Sequence, residues 1–284
     1  MIYELQCRKA DFVPTLVKAL TDDGTFNMIS SNTANDRIIT AGCSDGYVFR
    51  SSEDINGNKF ILTIKNIDTD NNALNTQINL MLSDNYTPAQ TANTNGVFGA
   101  GSGRKAYYLT SQASLTLDAI IKIHLDIKPH RIILITYNAA PTIENPSLIY
   151  IGYPELSTNI ERYYMQNLFI VGTNCTVTGP LVARNLLNQT WQTHKLYTLL
   201  APTNPNVAGD YNMSPIFIGN ATESIYGALD GVWVMPWVNI SQLDELEQNG
   251  DRFKVFRLTQ AVGSNGFTDL GTLANLAFVV RVVR

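Results

Sequence analysis

The sequence predicts a mainly β protein, with β-sandwich or β-barrel-like domains and a few short helices. The clearest evidence is the last third of the chain, where short apolar segments alternate with Gly, Asn and Asp turns: SPIFIGN (214–220), IYGALDGVWVMPW (225–237) and residues 250–284. Short apolar runs bounded by such turns are typical of strands. The apolar fraction of 45% suffices for a core, and the charged fraction of 15% is below the roughly 25% of an average soluble domain.

The N-terminal residues predict an edge strand followed by the best helix of the chain. Residues 2–7 alternate loosely between apolar and polar side chains. In the following segment, DFVPTLVKAL (11–20), Asp11 can cap a helix, Pro14 suits its first turn, and the apolar residues share one face. The DDG at 22–24 is expected to end this helix.

The rest of the first half predicts strands joined by polar turns. A hairpin is expected from 37–41 and 47–51, and an Asn-Gly turn lies within 54–58. Residues 87–104, rich in Gly, Ala, Asn and Thr, are expected to form an extended loop or arm. The remaining strand segments are 59–67, 77–82, 107–110, 114–127, 131–138 and 148–155.

The second half predicts further strands at 168–172, 195–200, 215–218, 231–235, 252–259 and 276–283. Three segments are ambiguous. Residues 155–165 suit a short helix or a loop, 175–191 include a possible helical turn, and 240–250 suit a helix ending at Gly250 or a turn between strands. We expect a β-rich domain with one helix over 1–150 and a β-rich domain over 151–284, or one intertwined unit.

The charge and cysteine content restrict the classes of protein to which the chain can belong. A net charge of −4 and a pI near 5.4 disfavour nucleic-acid binding, which needs clustered Lys and Arg. The three cysteines are dispersed and form no CxxC, the N-terminal MIYELQCRKADF is too polar and charged for a signal peptide, and no apolar run reaches the ~20 residues of a membrane helix. These features predict folding in a cytoplasm without membrane insertion. The uncharged polar surface suits large intersubunit contacts or, equally, an ordinary neutral surface.

Catalytic and ligand-binding motifs are weak throughout. His124 and Asp126 share a strand face and could form a base with its orienting carboxylate, although a structural contact is the favoured interpretation. GAGSGR (99–104) lacks the GK[ST] of a phosphate loop, and DTDNN (68–72) lacks the later ligands of a calcium loop. We therefore predict no enzyme activity, no cofactor and no metal.

Aromatic residues supply the candidate binding positions. Trp191, Trp233 and Trp237 lie in the second half, where exposed aromatics would suit glycan stacking or a protein interface, and core packing is the simpler alternative. Phe98 and Arg104, in the predicted arm, complete the set of candidate interface residues.

Residues 130–155 read HRIILITYNAAPTIENPSLIYIGYPE, and the C-terminal third contains SPIFIGN, GALDGV and FKVF. These two regions resemble segments of structural proteins of tailed-bacteriophage virions. HRIILITYNAAPTIENPSLIYIGYPE (130–155) is similar to their strand "R-I-I-L" followed by a loop and "L-I-Y-I-G". The C-terminal SPIFIGN, GALDGV and FKVF are similar to their "SPIYIG", "G-x-L-D-G-V" and closing "Y/F-x-V-F" segments, and the resemblance covers about a third of the chain. It implies a virion component of the tail or baseplate, without catalytic residues, whose partners are copies of itself and other virion proteins.

Three functional hypotheses follow. The leading one is a multi-copy structural subunit of the tail or baseplate, located in the virion after assembly in the host cytoplasm, with a head or neck position as the alternative. The second is a module that binds a host glycan or receptor through the second-half aromatics. The third is an enzyme that uses His124 and Asp126.

Overall fold

The computed structural model describes a large part of the 284-residue chain. The described residues are 1–30, 46–54, 57, 59–66, 77–83, 85–90, 96–98, 103–108, 116–139, 146–154, 168–172, 181–185, 190–192, 195–197, 211–220, 224–257 and 276–283.

Strands dominate the described residues. A 3₁₀ turn (Lys9–Asp11) leads into one α-helix, α1 (Phe12–Asp23). The strands of the first half are β1 (Ile2–Arg8), β2 (Phe26–Met28), β3 (Tyr47–Ser51), β4 (Ile61–Asn66), β5 (Gln77–Ser83), β6 (Tyr86–Thr87), β7 (Val97–Phe98), β8 (Gly103–Tyr108), β9 (Ile120–Lys128), β10 (Arg131–Asn138) and β11 (Ser147–Gly152). Those of the second half are β12 (Leu168–Gly172), β13 (Leu181–Asn185), β14 (Thr190–Gln192), β15 (Lys195–Tyr197), β16 (Ser214–Asn220), β17 (Ser224–Pro236), β18 (Glu245–Gln248), β19 (Asp251–Arg257) and β20 (Leu276–Val283).

The strands form three antiparallel sheets and one small hairpin. The central sheet has the order β1-β9-β10-β11-β12-β13-β14, the helix-side sheet β2-β3-β4-β5-β8, and the C-terminal sheet β15-β16-β17-β20-β19-β18. The hairpin is β6-β7. The mainly β prediction is confirmed, and none of the described sheets closes into a barrel.

One face of the central sheet packs against α1 and the helix-side sheet. Because side chains alternate along a strand, the odd residues of β9 from Ile121 to Ile127 and the even residues of β10 share this face. They are buried with Phe12, Leu16 and Leu20 of α1 in one apolar core. Phe60 links the two sheets, since its ring stands edge-on to Tyr153 at 5.9 Å.

The opposite face of the central sheet packs against the C-terminal sheet. His124 of β9 lies with its ring centroid 5.7 Å from that of Phe256 in β19. By strand register, Phe278 and Val234 share the face of Phe256, and all three are fully buried. The central sheet is therefore the middle of three layers.

Two smaller clusters cover the outer faces. The β6-β7 hairpin places Phe98 against Tyr86, with ring centroids 4.8 Å apart, on a cluster that includes Val48 and Ile61 of the helix-side sheet. The extended loop predicted at 87–104 therefore contains the end of β6, all of β7 and the start of β8, while 91–95 and 99–102 lie outside the described residues. The cluster on the C-terminal sheet is described with the candidate site.

Helix α1 follows its sequence prediction closely. It extends through Asp23, and Gly24 ends it in the left-handed region at φ 76°, which favours glycine. Asp11 occupies the N-cap position but makes no side-chain cap; its carboxylate instead accepts a 2.8 Å hydrogen bond from Arg8 Nε.

Several predicted elements need correction. The possible helical turn within 175–191 is wrong for its described part, where Leu181–Asn185 and Thr190–Gln192 are strands. The helix alternative for 240–250 is also wrong, because Glu245–Gln248 is a strand paired with β19. The strand expected from 114 begins at Ile120, and the segments 37–41 and 155–165 lie outside the described residues. The division at 150/151 stays a prediction.

Candidate functional site

Three basic side chains converge on one carboxylate oxygen between the central and C-terminal sheets. Asp230 lies in β17, and its Oδ2 accepts hydrogen bonds from Lys128 Nζ and Arg131 Nε, each at 2.8 Å. His130 Nε2 lies 2.9 Å from the same oxygen. All three basic residues belong to the β9–β10 hairpin, so this contact fixes the hairpin to β17.

Arg131 joins this contact to a second carboxylate. Its side chain is 1% exposed, and Nη2 lies 2.6 Å from Asp126 Oδ2. The guanidinium thus bridges Asp230 of the C-terminal sheet and Asp126 of the central sheet. A buried cation needs such pairing, because leaving it unpaired in the interior is strongly unfavourable. We call the five residues the Asp230 cluster: Asp126, Lys128, His130, Arg131 and Asp230.

The contacts of the cluster favour the charged forms of Asp230 and Arg131. Burial alone would raise the pKa of the Asp230 carboxyl, but the hydrogen bond with His130 and the charges of Arg131 and Lys128 hold that pKa well below its ordinary value. Burial also opposes the charged form of Arg131, yet the charges of Asp126 and Asp230 raise its pKa. Arg131 and Asp230 therefore stay ionised at neutral pH.

Gly231 makes room for the guanidinium. Its φ of +80° lies in the left-handed region. A Cβ built on it would lie 2.9 Å from Arg131 Nη2 and 3.3 Å from Ile133 Cδ1. Glycine at this position is therefore required by backbone conformation and by the close approach of Arg131.

A second polar cluster lies on the same face of the central sheet, around His124. The imidazole is fully buried, and its Nδ1 lies 2.7 Å from Glu4 Oε1 of β1. Lys254 of β19 donates to the same oxygen at 2.8 Å. His124 Nε2 has no hydrogen-bond partner among the described residues. We call His124, Glu4 and Lys254, with the adjacent Tyr137 and Phe256, the His124 cluster.

Two members of this cluster, Glu4 and Tyr137, have pKa values shifted from their ordinary values. Burial alone would raise the pKa of Glu4, but the hydrogen bonds with His124 and Lys254 lower it below its ordinary value. Tyr137 is affected in the opposite sense, because burial and then the Glu4 charge raise its pKa to about 12. Tyr137 is thus a neutral phenol at physiological pH.

Both clusters join charged side chains of the central sheet to charged side chains of the C-terminal sheet. The suggested His124–Asp126 contact does not form, because His124 binds Glu4 while Asp126 binds Arg131. The two residues do share a strand face, as the sequence predicts. Within the described residues no group of three or more His, Cys, Asp or Glu side chains is placed to hold a metal ion.

The outer face of the C-terminal sheet carries an apolar surface that contains two predicted interface residues. Trp233 stands edge-on to Phe253 at 5.5 Å, and Arg281 Cζ lies 5.5 Å from the Trp233 ring centroid. We call the partly buried side chains that lie over this face the outer aromatic surface: Tyr211, Met213, Trp233, Trp237, Ile240 and Leu246.

The other predicted interface residues lie elsewhere. Phe98 is partly buried against Tyr86, outside the helix-side sheet. Trp191 lies in β14, at the edge of the central sheet opposite Arg184. Arg104 lies in β8, at the edge of the helix-side sheet opposite Met81. The structure therefore brings Trp233 and Trp237 into one surface, and places the other three in three separate elements.

Sequence reasoning missed the Asp230 cluster. Its visible signals were the basic residues Lys128, His130 and Arg131 at the junction of two predicted strands (114–127 and 131–138), and the Asp-Gly at 230–231 inside an apolar run. A carboxylate within such an apolar run is expected to be buried and therefore to need a polar or charged partner.

No protein-family model matches the chain, and no curated protein matches it in sequence. In the part of the chain that the structure describes, no helix is long and apolar enough to cross a membrane.

Proposed function

We propose that the chain is a structural subunit of a tailed-bacteriophage virion, in the tail or baseplate, that acts by assembling in multiple copies. The main support for the proposal is that residues from the two resembling regions contact each other in the fold. The arginine of the "R-I-I-L" segment is Arg131, and the "L-D-G-V" segment contains Asp230 and Gly231. These are the residues that meet between the central and C-terminal sheets.

The architecture suits a structural role. Three stacked layers, two of them joined by buried ion pairs, are expected to make a rigid subunit. A rigid subunit loses less conformational entropy when copies assemble. The charged fraction of 15% means that few ions must be desolvated when copies pack together.

Quantitative mass spectrometry of purified particles tests this proposal. Particles of the phage that encodes the chain are expected to contain it in many copies, and a stop codon early in its gene should yield particles without a complete tail or baseplate. Gold-labelled antibody on intact particles distinguishes a tail or baseplate position from the head or neck. Absence of the chain from purified particles would refute the proposal.

A second candidate function is recognition of a host glycan by the virion. The outer aromatic surface favours it, because Trp233 and Trp237 are partly exposed in one cluster, and aromatic rings stack on sugar faces. A glycan array probed with the purified chain tests this candidate. Binding that is lost in Trp237→Ala and kept in Phe98→Ala, an aromatic truncation on a different sheet, would support it.

A further inference from the structure

Strand β1 is the edge strand of the central sheet as the structure describes it. Among the described strands it pairs with β9 alone. The Met1 and Ile127 backbones exchange two hydrogen bonds, of 2.6 and 2.8 Å, and Lys9 N–H donates to Ala119 at 2.8 Å. Because such bonds involve alternate residues of an antiparallel strand, the odd residues of β1 bond to β9. The backbone groups that point outward belong to Ile2, Glu4, Gln6 and Arg8.

This edge lacks the features that usually block strand pairing. β1 has seven residues, no proline, and a continuous register with β9. Its two charges are matched inside the subunit, Glu4 by Lys254 at 2.8 Å and Arg8 by Asp11 at 2.8 Å. By contrast, the edge strand β18 has four residues and exposes two glutamates.

We infer that β1 is an assembly surface that pairs antiparallel with β1 of a second copy, across a two-fold axis at Leu5. In this register Ile2 lies opposite Arg8 of the other copy, Glu4 opposite Gln6, and Leu5 opposite Leu5. The inference rests on the multi-copy assembly of the proposed function, and it names one contact that such assembly would use.

Three observations select this register. It pairs all four outward residues of each strand, whereas a shift of two residues in either direction pairs three. One of those shifts places Glu4 opposite Glu4, and directly opposed like charges are unfavourable. The chosen register also covers Tyr3, Leu5 and Cys7, which are partly buried at the margin of the apolar core.

A disulfide across the axis tests the register. Leu5 is in a non-hydrogen-bonded pair, whose Cα atoms lie about 4.5 Å apart, within disulfide range. Leu5→Cys, in a background with Cys7→Ser, Cys43→Ser and Cys175→Ser, is expected to give a covalent dimer on mild oxidation. Gln6→Cys in the same background is the control, because its two Cα atoms would lie about 8 Å apart, beyond that range. No dimer from Leu5→Cys, or equal dimer from both variants, would overturn the pairing.

Proline at an outward position tests the same contact without cysteine. Gln6→Pro removes an N–H that the subunit's own sheet does not use, so the fold should survive, as circular dichroism can verify. Sedimentation equilibrium is expected to show dimerisation weakened by about tenfold or more, since backbone hydrogen bonds are lost at two symmetric positions. Unchanged association of Gln6→Pro would contradict the inference.

These results can be separated from a failure of the proposed function. If Leu5→Cys does not cross-link but the chain is abundant in particles, the β1 pairing is wrong and the virion role stands. If the cross-linked dimer forms but particles lack the chain, the pairing is right and the virion role is wrong.

Discussion

At the scale of single residues, one buried guanidinium contributes strongly to the contact between the central and C-terminal sheets. Arg131 is 1% exposed and bridges Asp126 and Asp230. Removing one partner of a buried charge pair costs far more than the pair's net contribution, since it leaves an uncompensated charge in the interior.

We predict that Arg131→Met lowers the free energy of unfolding by about 3–5 kcal/mol, because two carboxylates lose their shared cation. Arg252→Met is the matched control. Arg252 is 58% exposed and pairs with Glu245 at the surface, so its loss should cost less than about 1 kcal/mol. Urea denaturation of both variants provides the measurement, and equal effects would contradict the assigned role of Arg131.

Two glycines allow the energetic cost of a left-handed backbone to be measured separately from the cost of close packing. Gly231 and Gly250 have nearly the same φ, +80° and +79°, but only Gly231 has neighbours within 4 Å of an added Cβ. Gly250→Ala is expected to cost about 1–2 kcal/mol for the left-handed backbone. Gly231→Ala should cost about 1–3 kcal/mol more, because its methyl group meets Arg131. Thermal or urea unfolding measures the difference between the two variants. Equal losses in the free energy of unfolding would show that Arg131 moves away from the new methyl group without an energetic cost.

Neither ionic cluster could be derived from the sequence. Asp230 and Arg131 are 99 residues apart, and Glu4 and His124 are 120 apart, so only the packing of the sheets brings them together. Strand alternation did predict that His124 and Asp126 share a face. It could not predict that each would bind a partner from another strand.

At the scale of elements, the β9–β10 hairpin is held against β17 by charge. Asp230 has a pKa below its ordinary value in the folded state, so it contributes stability above the ordinary carboxyl pKa of about 3.9. That contribution is lost as pH falls toward the folded pKa. Glu4 acts in the same direction between β1 and β19.

We predict that Asp230→Asn lowers stability at neutral pH and flattens the acid side of the stability curve. The free energy of unfolding of the wild type should fall steadily below about pH 4, where the unfolded state takes up more protons. The variant should lose part of this slope. Asp118→Asn, at a carboxylate that is 86% exposed, serves as the control and should keep the wild-type slope. Urea midpoints measured from pH 7 down to pH 2 provide the test, and parallel curves would contradict the assignment.

The elements themselves were largely predictable, because local signals specify them. Helix α1 and most strands follow from periodicity and turn residues. For 240–250 the sequence allowed a helix or a turn between strands, because Gly250 also suits the end of a helix, and only the helix alternative is wrong. Asn249 and Gly250, with φ of 55° and 79°, instead form the two-residue turn between β18 and β19, and Asn-Gly is the usual sequence of such a turn.

At the scale of the whole molecule, β9, β10 and β11 of the central sheet are largely buried on both faces, so the layers that pack on them are not independent of this sheet. This arrangement predicts a single cooperative unfolding transition. The three tryptophans lie in the second half of the chain, at 191, 233 and 237, whereas α1 lies in the first. Tryptophan fluorescence and the helical circular dichroism signal should therefore change at the same urea concentration. Two separate midpoints would instead indicate independent domains on either side of residue 150.

The most direct test of the proposed virion role is a map of the assembled particle at side-chain resolution. We expect the three-layer subunit to recur by symmetry in the tail or baseplate, with Arg131 between Asp126 and Asp230 in each copy. A complete map of the tail and baseplate in which no density fits this chain would contradict the account.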